Sequence, residues 1–248
     1  MSMHPIAHAA TRPDHPAVIM TGSGQQMTYG EMEAESNRFA HLLRANGIGP
    51  GDAFAVLLEN RIEYFTLIWG SQRAGTMLVP ISSRLTAPEA AYIIRDAQAT
   101  LLITSGYFSG ILGDIRKECP GLEVLVMDAG DAEDFAAALA AQPTTPIPDQ
   151  RAGMVMLYSS GTTGRPKGIR PAPPEDPDPM APVPLLGLAT MGAGMPADGT
   201  MVYLSPAPLY HAAPIGWCSI VHRLGGTVVM MEKFDPEFAL QTIEKALQ

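Results

Sequence analysis

Tyr158-Ser159-Ser160-Gly161-Thr162-Thr163-Gly164-Arg165-Pro166-Lys167-Gly168 is the most informative stretch of this 248-residue chain. It gathers two serines, two threonines, three glycines, an arginine and a lysine, and it follows the apolar run 153–157. A buried strand that delivers a loop of glycines and hydroxyls with a lysine at its far end has the composition of a phosphate cradle. Glycines let backbone N–H groups approach an anion closely, hydroxyls add donors, and lysine adds a point charge. Spacing excludes two common versions of such a loop. The NTPase P-loop requires a glycine, four residues and then Gly-Lys-Ser/Thr, whereas Pro166 stands five residues past Gly161 and Gly168 follows Lys167. The dinucleotide fingerprint G-x-G-x-x-G is missing too, since Gly22-Ser23-Gly24 lacks the third glycine.

Upstream of the loop the chain reads as alternating strands and helices. Residues 17–20 and 26–28 flank the turn Thr21-Gly22-Ser23-Gly24 and predict a small hairpin. Thr28 with Glu31, Asn60 with Glu63, and Thr86 with Glu89 each have the spacing of a helix N-terminus. Pro88 falls in the first turn of the third helix. Strands are expected at 54–58, 77–81, 100–104 and 123–127, with further helices at 111–117 and 131–141. Short strands alternating with capped helices imply an α/β fold of mostly parallel sheets flanked by helices. Prolines 143, 146 and 148 mark a surface linker. The expected organisation is a first α/β subdomain over 1–142, a linker over 143–152, and the start of a second α/β subdomain over 153–248.

Downstream, 171–184 holds seven prolines in fourteen residues and is a loop, either a flap near the phosphate site or a solvent-exposed connector. A glycine-interrupted buried helix is expected at 185–195 and strands at 200–204 and 226–231. A turn ending on His211 leads into a helix at 215–224. Asp235-Pro236-Glu237 opens a last helix, with Asp as N-cap and Pro at the first helical position.

Composition narrows the function. The net charge is −9 and the 16 basic residues are scattered, which argues against a nucleic-acid surface. Two cysteines, Cys119 and Cys218, without a C-x-x-C spacing, read as buried free thiols in a reducing compartment, with no zinc site. The first residues do not have the pattern of a signal peptide. The almost uncharged stretches 180–197 and 199–221 are broken by prolines and glycines, so they read as buried core or interface, with no membrane span. A soluble, cytoplasmic protein is the expectation.

The string 158–168 resembles the phosphate-binding signature of the adenylate-forming superfamily: acyl-CoA synthetases, luciferases and peptide-synthetase adenylation domains. Met27-Thr28-Tyr29-Gly30-Glu31, Gly47-Ile48-Gly49-Pro50-Gly51-Asp52, the joint from Ala74-Gly75 to Pro80, and Pro208-Leu209-Tyr210-His211 are similar to further motifs of that superfamily. The Ser-Ser-Gly-Thr-Thr-Gly spelling leans toward the acyl-CoA synthetases, and the chain looks most like a bacterial fatty-acyl-CoA synthetase. The resemblance implies a carboxylate that attacks the α-phosphate of ATP and leaves an acyl-adenylate with release of pyrophosphate. Coenzyme A then displaces AMP to give a thioester, and magnesium is expected with the ATP.

Under that resemblance Ser159, Ser160, Gly161, Thr162, Thr163 and Gly164 hold the β- and γ-phosphates, and Lys167 neutralises the leaving pyrophosphate. Arg165 does the same or faces solvent. His211 gates the acyl pocket or orients the carboxylate; without the resemblance it reads as a core histidine. Tyr210 reads equally as a pocket wall or a core aromatic. Trp217, on the helix after His211, either limits the acyl chain or packs in the core.

The superfamily continues with a Tyr-x-x-x-Glu segment, an aspartate for the ribose hydroxyls, and a mobile small domain with a catalytic lysine. None of these matches a position in this sequence. The chain is therefore expected to hold an incomplete large N-terminal domain, with the C-terminal small domain absent, and to be inactive or nearly so by itself. It is also expected to associate with copies of itself through exposed apolar surface. Two other readings are an adenylate-former that loads a carrier-protein thiol and a non-catalytic domain that binds a nucleotide.

Overall fold

The computed structural model describes residues 3–130, 134–159 and 166–246. The first elements are α1 (Pro5–Thr11), β1 (Pro16–Met20), β2 (Gln26–Thr28), α2 (Tyr29–Ala45), β3 (Ala53–Leu57) and α3 (Glu63–Ala74). Then come β4 (Met77–Pro80), α4 (Ala87–Asp96), β5 (Leu101–Ser105), α5 (Ser109–Glu118), β6 (Glu123–Met127) and α6 (Phe135–Ala140). The remainder is β7 (Met154–Val155), β8 (Leu157–Ser159), β9 (Lys167–Ile169), α7 (Pro184–Gly187), β10 (Val202–Ser205), α8 (Ala212–Arg223), β11 (Thr227–Met230) and α9 (Pro236–Ala246).

Two compact units emerge. The larger, 34–59 with 66–181, is built on a parallel sheet in the order β6-β5-β3-β4-β7. Alternation along β3 explains its layers. Ala53, Ala55 and Leu57 join Ala90, Ala91 and Ile94 of α4 and Ile115 of α5 in one core. Phe54 meets Phe39 of α2 edge-on at 5.3 Å, and Phe39 in turn meets Phe135 of α6. A strand buried on both faces by helices needs apolar residues at every position, and all five residues of β3 are buried. At α4 the capping box is formed: Glu89 Oε2 accepts the Thr86 amide at 2.8 Å.

The smaller unit, 1–33 with 60–65 and 182–248, carries the sheet β10-β11-β1-β2. β10, β11 and β1 are parallel, and β2 returns antiparallel through the expected hairpin. Glu232 ties that hairpin down, its carboxylate accepting the Gly22 and Ser23 amides at 2.8 Å each. The Tyr29 hydroxyl donates to Gly226 O at 2.8 Å, and His222 Nε2 lies 3.0 Å from Ala17 O.

The units differ from the consecutive division 1–142 and 153–248. They interleave, because β1 and β2 pair with strands near the other end of the chain while β7 pairs with β4. The segment 143–152 is largely exposed and is tied to the larger unit. Asn37 donates to Thr144 O at 2.9 Å, Arg44 pairs with Asp149 at 3.1 Å, and Ile147 is buried. The apolar run 153–157 is two short strands, because its hydrogen bonds change partner at Met156, from β4 to β9. Asn60 does not cap α3, which starts at Glu63. The expected buried helix at 185–195 is a single turn, α7, followed by a π turn at Leu188–Gly192 with Met191 89% exposed. The helix expected at 131–141 is Phe135–Ala140 with Asp134 as its cap; residues 131–133 lie outside the described residues.

Candidate functional site

The signature stretch sits on the β8–β9 hairpin of the larger unit. Its register pairs Leu157 with Ile169, Tyr158 with Gly168, and Ser159 with Lys167. Directly opposed residues of an antiparallel pair send their side chains to the same face, and successive residues alternate. Ser159 and Lys167 therefore share one face at the mouth of the loop, both exposed, while Tyr158 and Gly168 share the other. Ser160, Gly161, Thr162, Thr163 and Gly164, together with Arg165, lie outside the described residues.

The Tyr158 face is the packed one. Its ring joins the core around α4, and its hydroxyl donates to Asp96 Oδ2 at 2.6 Å. Burial, then the bond to Asp96, pushes the phenol above its ordinary pKa. Gly168 lies opposite it in close contact: a Cβ there would stand 2.6 Å from Met156 Cε and 2.8 Å from Tyr158 Cζ, so both side chains would have to shift. Lys167 makes no ion pair with any carboxylate among the described residues. The hairpin thus offers a hydroxyl and an exposed ammonium on one face of a stem packed from behind.

The Tyr210–His211 turn belongs to the smaller unit. Asn60 builds it: its Oδ1 accepts the Leu209 amide at 2.9 Å, and its Nδ2 donates to Met231 O at 2.9 Å and Ala207 O at 3.3 Å. The sequence pattern missed this role, since Asn-x-x-Glu looks like a cap until its tertiary partners are known. The His211 amide donates to Pro208 O at 3.2 Å, and His211 then takes the N-cap position of α8 with extended backbone and no side-chain cap bond. Its imidazole is exposed and lies against the buried Tyr210 ring, with centroids 4.4 Å apart. The core-histidine alternative is thereby excluded.

Tyr64, also missed from sequence, is fully buried; its phenol is pushed up by burial and then by neighbouring Tyr210. Its hydroxyl has no hydrogen-bond partner among the described residues, a leftover donor beside Tyr210. Trp217 is half-buried and packs on the cluster of Leu186, Ala189, Ile220 and Leu224.

No group of three or more His, Cys, Asp and Glu side chains among the described residues gathers to hold a metal ion. Among the described residues no helix is long and apolar enough to cross a membrane.

A profile of the AMP-binding enzyme family matches residues 6–246. The chain is 36% identical over 168 residues to a fatty acid–[acyl-carrier-protein] ligase of Streptomyces coeruleorubidus, covering 65% of this chain and 31% of that protein. It is 30% identical over 249 residues to a feruloyl-CoA synthase of an Amycolatopsis species, covering 97% of this chain and 46% of that one. The chain thus spans about a third to a half of the length of these relatives. In fold it is similar to the crystallised N-terminal domain of FACL13 from Mycobacterium tuberculosis, with a TM-score of 0.81 and 24% identity over 98% of this chain and 59% of that one. The expected α/β architecture of an adenylate-forming enzyme's N-terminal domain is the observed one, and the chain belongs to the AMP-binding enzyme family.

Proposed function

We propose that this chain is the phosphate-binding and acyl-lining portion of an ATP-dependent acyl-CoA synthetase. Such an enzyme converts a carboxylic acid, here a fatty acid, to an acyl-adenylate and then to a coenzyme A thioester. The observation that carries the reading is the Ser159–Lys167 pair, exposed together where the hairpin enters the signature loop. Adenylate formation builds negative charge on departing pyrophosphate, and a fixed ammonium beside hydroxyl and amide donors stabilises it without reorganisation. Lys167 supplies that charge, and Ser159 with Ser160, Gly161, Thr162, Thr163 and Gly164 supplies the donors. Magnesium arrives as part of the ATP complex.

His211 orients the carboxylate. Its exposure, its place before α8 and its contact with Tyr210 support this, since the first turn of a helix presents N–H groups suited to an anion. Tyr210 forms a pocket wall, and Trp217 limits the acyl chain from the cluster on which it packs. A second reading, transfer to a carrier-protein thiol, is favoured by the similarity to the Streptomyces fatty acid–[acyl-carrier-protein] ligase. Buried free thiols at Cys119 and Cys218 suit a reducing cytoplasm.

The test is ATP–pyrophosphate exchange and ATP binding on the 248-residue chain, with fatty and aromatic acids added in turn. The expected result is ATP binding that pyrophosphate competes for, with little or no acid-dependent exchange, because the relatives carry as much chain again. A chain that binds neither ATP nor pyrophosphate refutes the proposal.

A further inference from the structure

Asp96 closes α4, sixty-two residues before Tyr158 and outside the signature, yet its carboxylate accepts the Tyr158 hydroxyl at 2.6 Å. α4 is a firm support for such a bond. A capping box fixes its first turn, and Ala90, Ala91, Ile93 and Ile94 bury its inner face. On the hairpin side, the Tyr158 ring lies against Gly168, where a Cβ would push on Tyr158 and Met156, and packs with Met156 on the same core. The β8–β9 ladder then has one packed face and one free face. Ser159 and Lys167 occupy the free face because they sit one residue further along each strand.

We propose that Asp96 is a positioning residue for the phosphate loop. Through the Tyr158 hydroxyl it fixes how the hairpin stem sits on α4, and so the direction in which Ser159 and Lys167 enter the loop. Asp96 itself touches no nucleotide in this account. The claim rests on the nucleotide reading given above and adds to it a residue that pattern matching does not single out. Among the described residues three pairs hold the hairpin, and two-stranded ribbons are marginal without outside support. An anchor on its packed face therefore controls its orientation more than it would in a wide sheet.

Four variants of the 248-residue chain test this: Tyr158→Phe, Asp96→Ala, Asp96→Asn and the Phe/Ala double variant. Asparagine keeps an oxygen that can accept the same bond. The readouts are amide hydrogen exchange over 157–159 and 167–169 and the dissociation constant for Mg-ATP. Tyr158→Phe and Asp96→Ala are expected to speed exchange in the hairpin and weaken ATP about 3- to 10-fold, the scale of one exposed hydrogen bond. The double variant is expected to match the worse single variant, and Asp96→Asn to restore both readouts. A residue with a merely structural role would lower the melting temperature without this coupling. The proposal is overturned if Asp96→Ala leaves exchange and affinity unchanged, or if Asp96→Asn behaves like Asp96→Ala. If the unsubstituted chain binds no Mg-ATP while exchange still responds, the nucleotide reading fails and the positioning role falls with it. ATP binding with unmoved exchange sinks the positioning role only.

Discussion

At the scale of single residues, His222 shows how burial becomes a pH dependence. It is wholly buried under Phe65 and Tyr29, and burial lowers its pKa from 6.5 to about 4 against the opposing pull of Ala17 O. Above the ordinary histidine value neither the folded nor the unfolded imidazole is charged, and the residue contributes no slope. As the pH falls below 6.5 the unfolded chain takes the proton first, so stability drops until the folded group titrates near 4. The total loss is about 3 kcal/mol. His8 and His15, which flank Tyr29, shift in the same direction through burial. Melting temperatures between about pH 7 and pH 5 should fall more steeply for the native chain than for His222→Gln; parallel curves would contradict this origin. Cys218 makes a second case, its thiol buried and pushed up to about 12. A thiol reagent at mildly alkaline pH should therefore react only as the chain unfolds, and prompt labelling of the native chain would refute its burial. Such roles were partly legible in the sequence. Two unspaced cysteines read correctly as free and buried, whereas His211 and His222 look alike in sequence and differ only in what surrounds them.

At the scale of elements, local chemistry decided most of what could be foreseen. Thr86 and Glu89 form their capping box, and Thr86→Ala should cost about 1 kcal/mol and lower the melting temperature by about 2–4 °C. Scanning calorimetry that finds no shift would contradict the cap. Gly153 is stricter, because a Cβ there would collide with Ser71 O, which is backbone and cannot swing away. Gly153→Ala should destabilise by about 1–3 kcal/mol, measurable by urea unfolding, and a neutral outcome would contradict the close approach of Gly153 to the last turn of α3. Elements whose identity depends on distant partners were not foreseeable. Asn60 has the spacing of a cap and spends its side chain on Leu209, Ala207 and Met231 instead. The run 153–157 is uniformly apolar, so nothing in it announces the change of partner at Met156.

At the scale of the whole chain, alternating strands and helices predicted parallel sheets, but the pairing of β1 with β11 spans some two hundred residues and leaves no local mark. That pairing is why the compact units interleave. The surface also carries apolar side chains that a closed core would cover: Leu188 and Met191 on one segment, and Phe238, Leu240 and Ile243 along α9. Light scattering should show association that grows with concentration, and a clean monomer with no binding of an apolar dye would contradict it. The signature loop stands out by its spelling alone, since glycines, hydroxyls and lysine are a local signal. The bond behind its stem does not, because Asp96 meets Tyr158 only in the folded chain. The central claim, that this hairpin presents a nucleotide phosphate site, is tested most directly by calorimetric titration of Mg-ATP into the native chain and into Lys167→Ala. The account predicts binding by the native chain and binding roughly 10- to 100-fold weaker without the ammonium; equal affinity in the two proteins would contradict it.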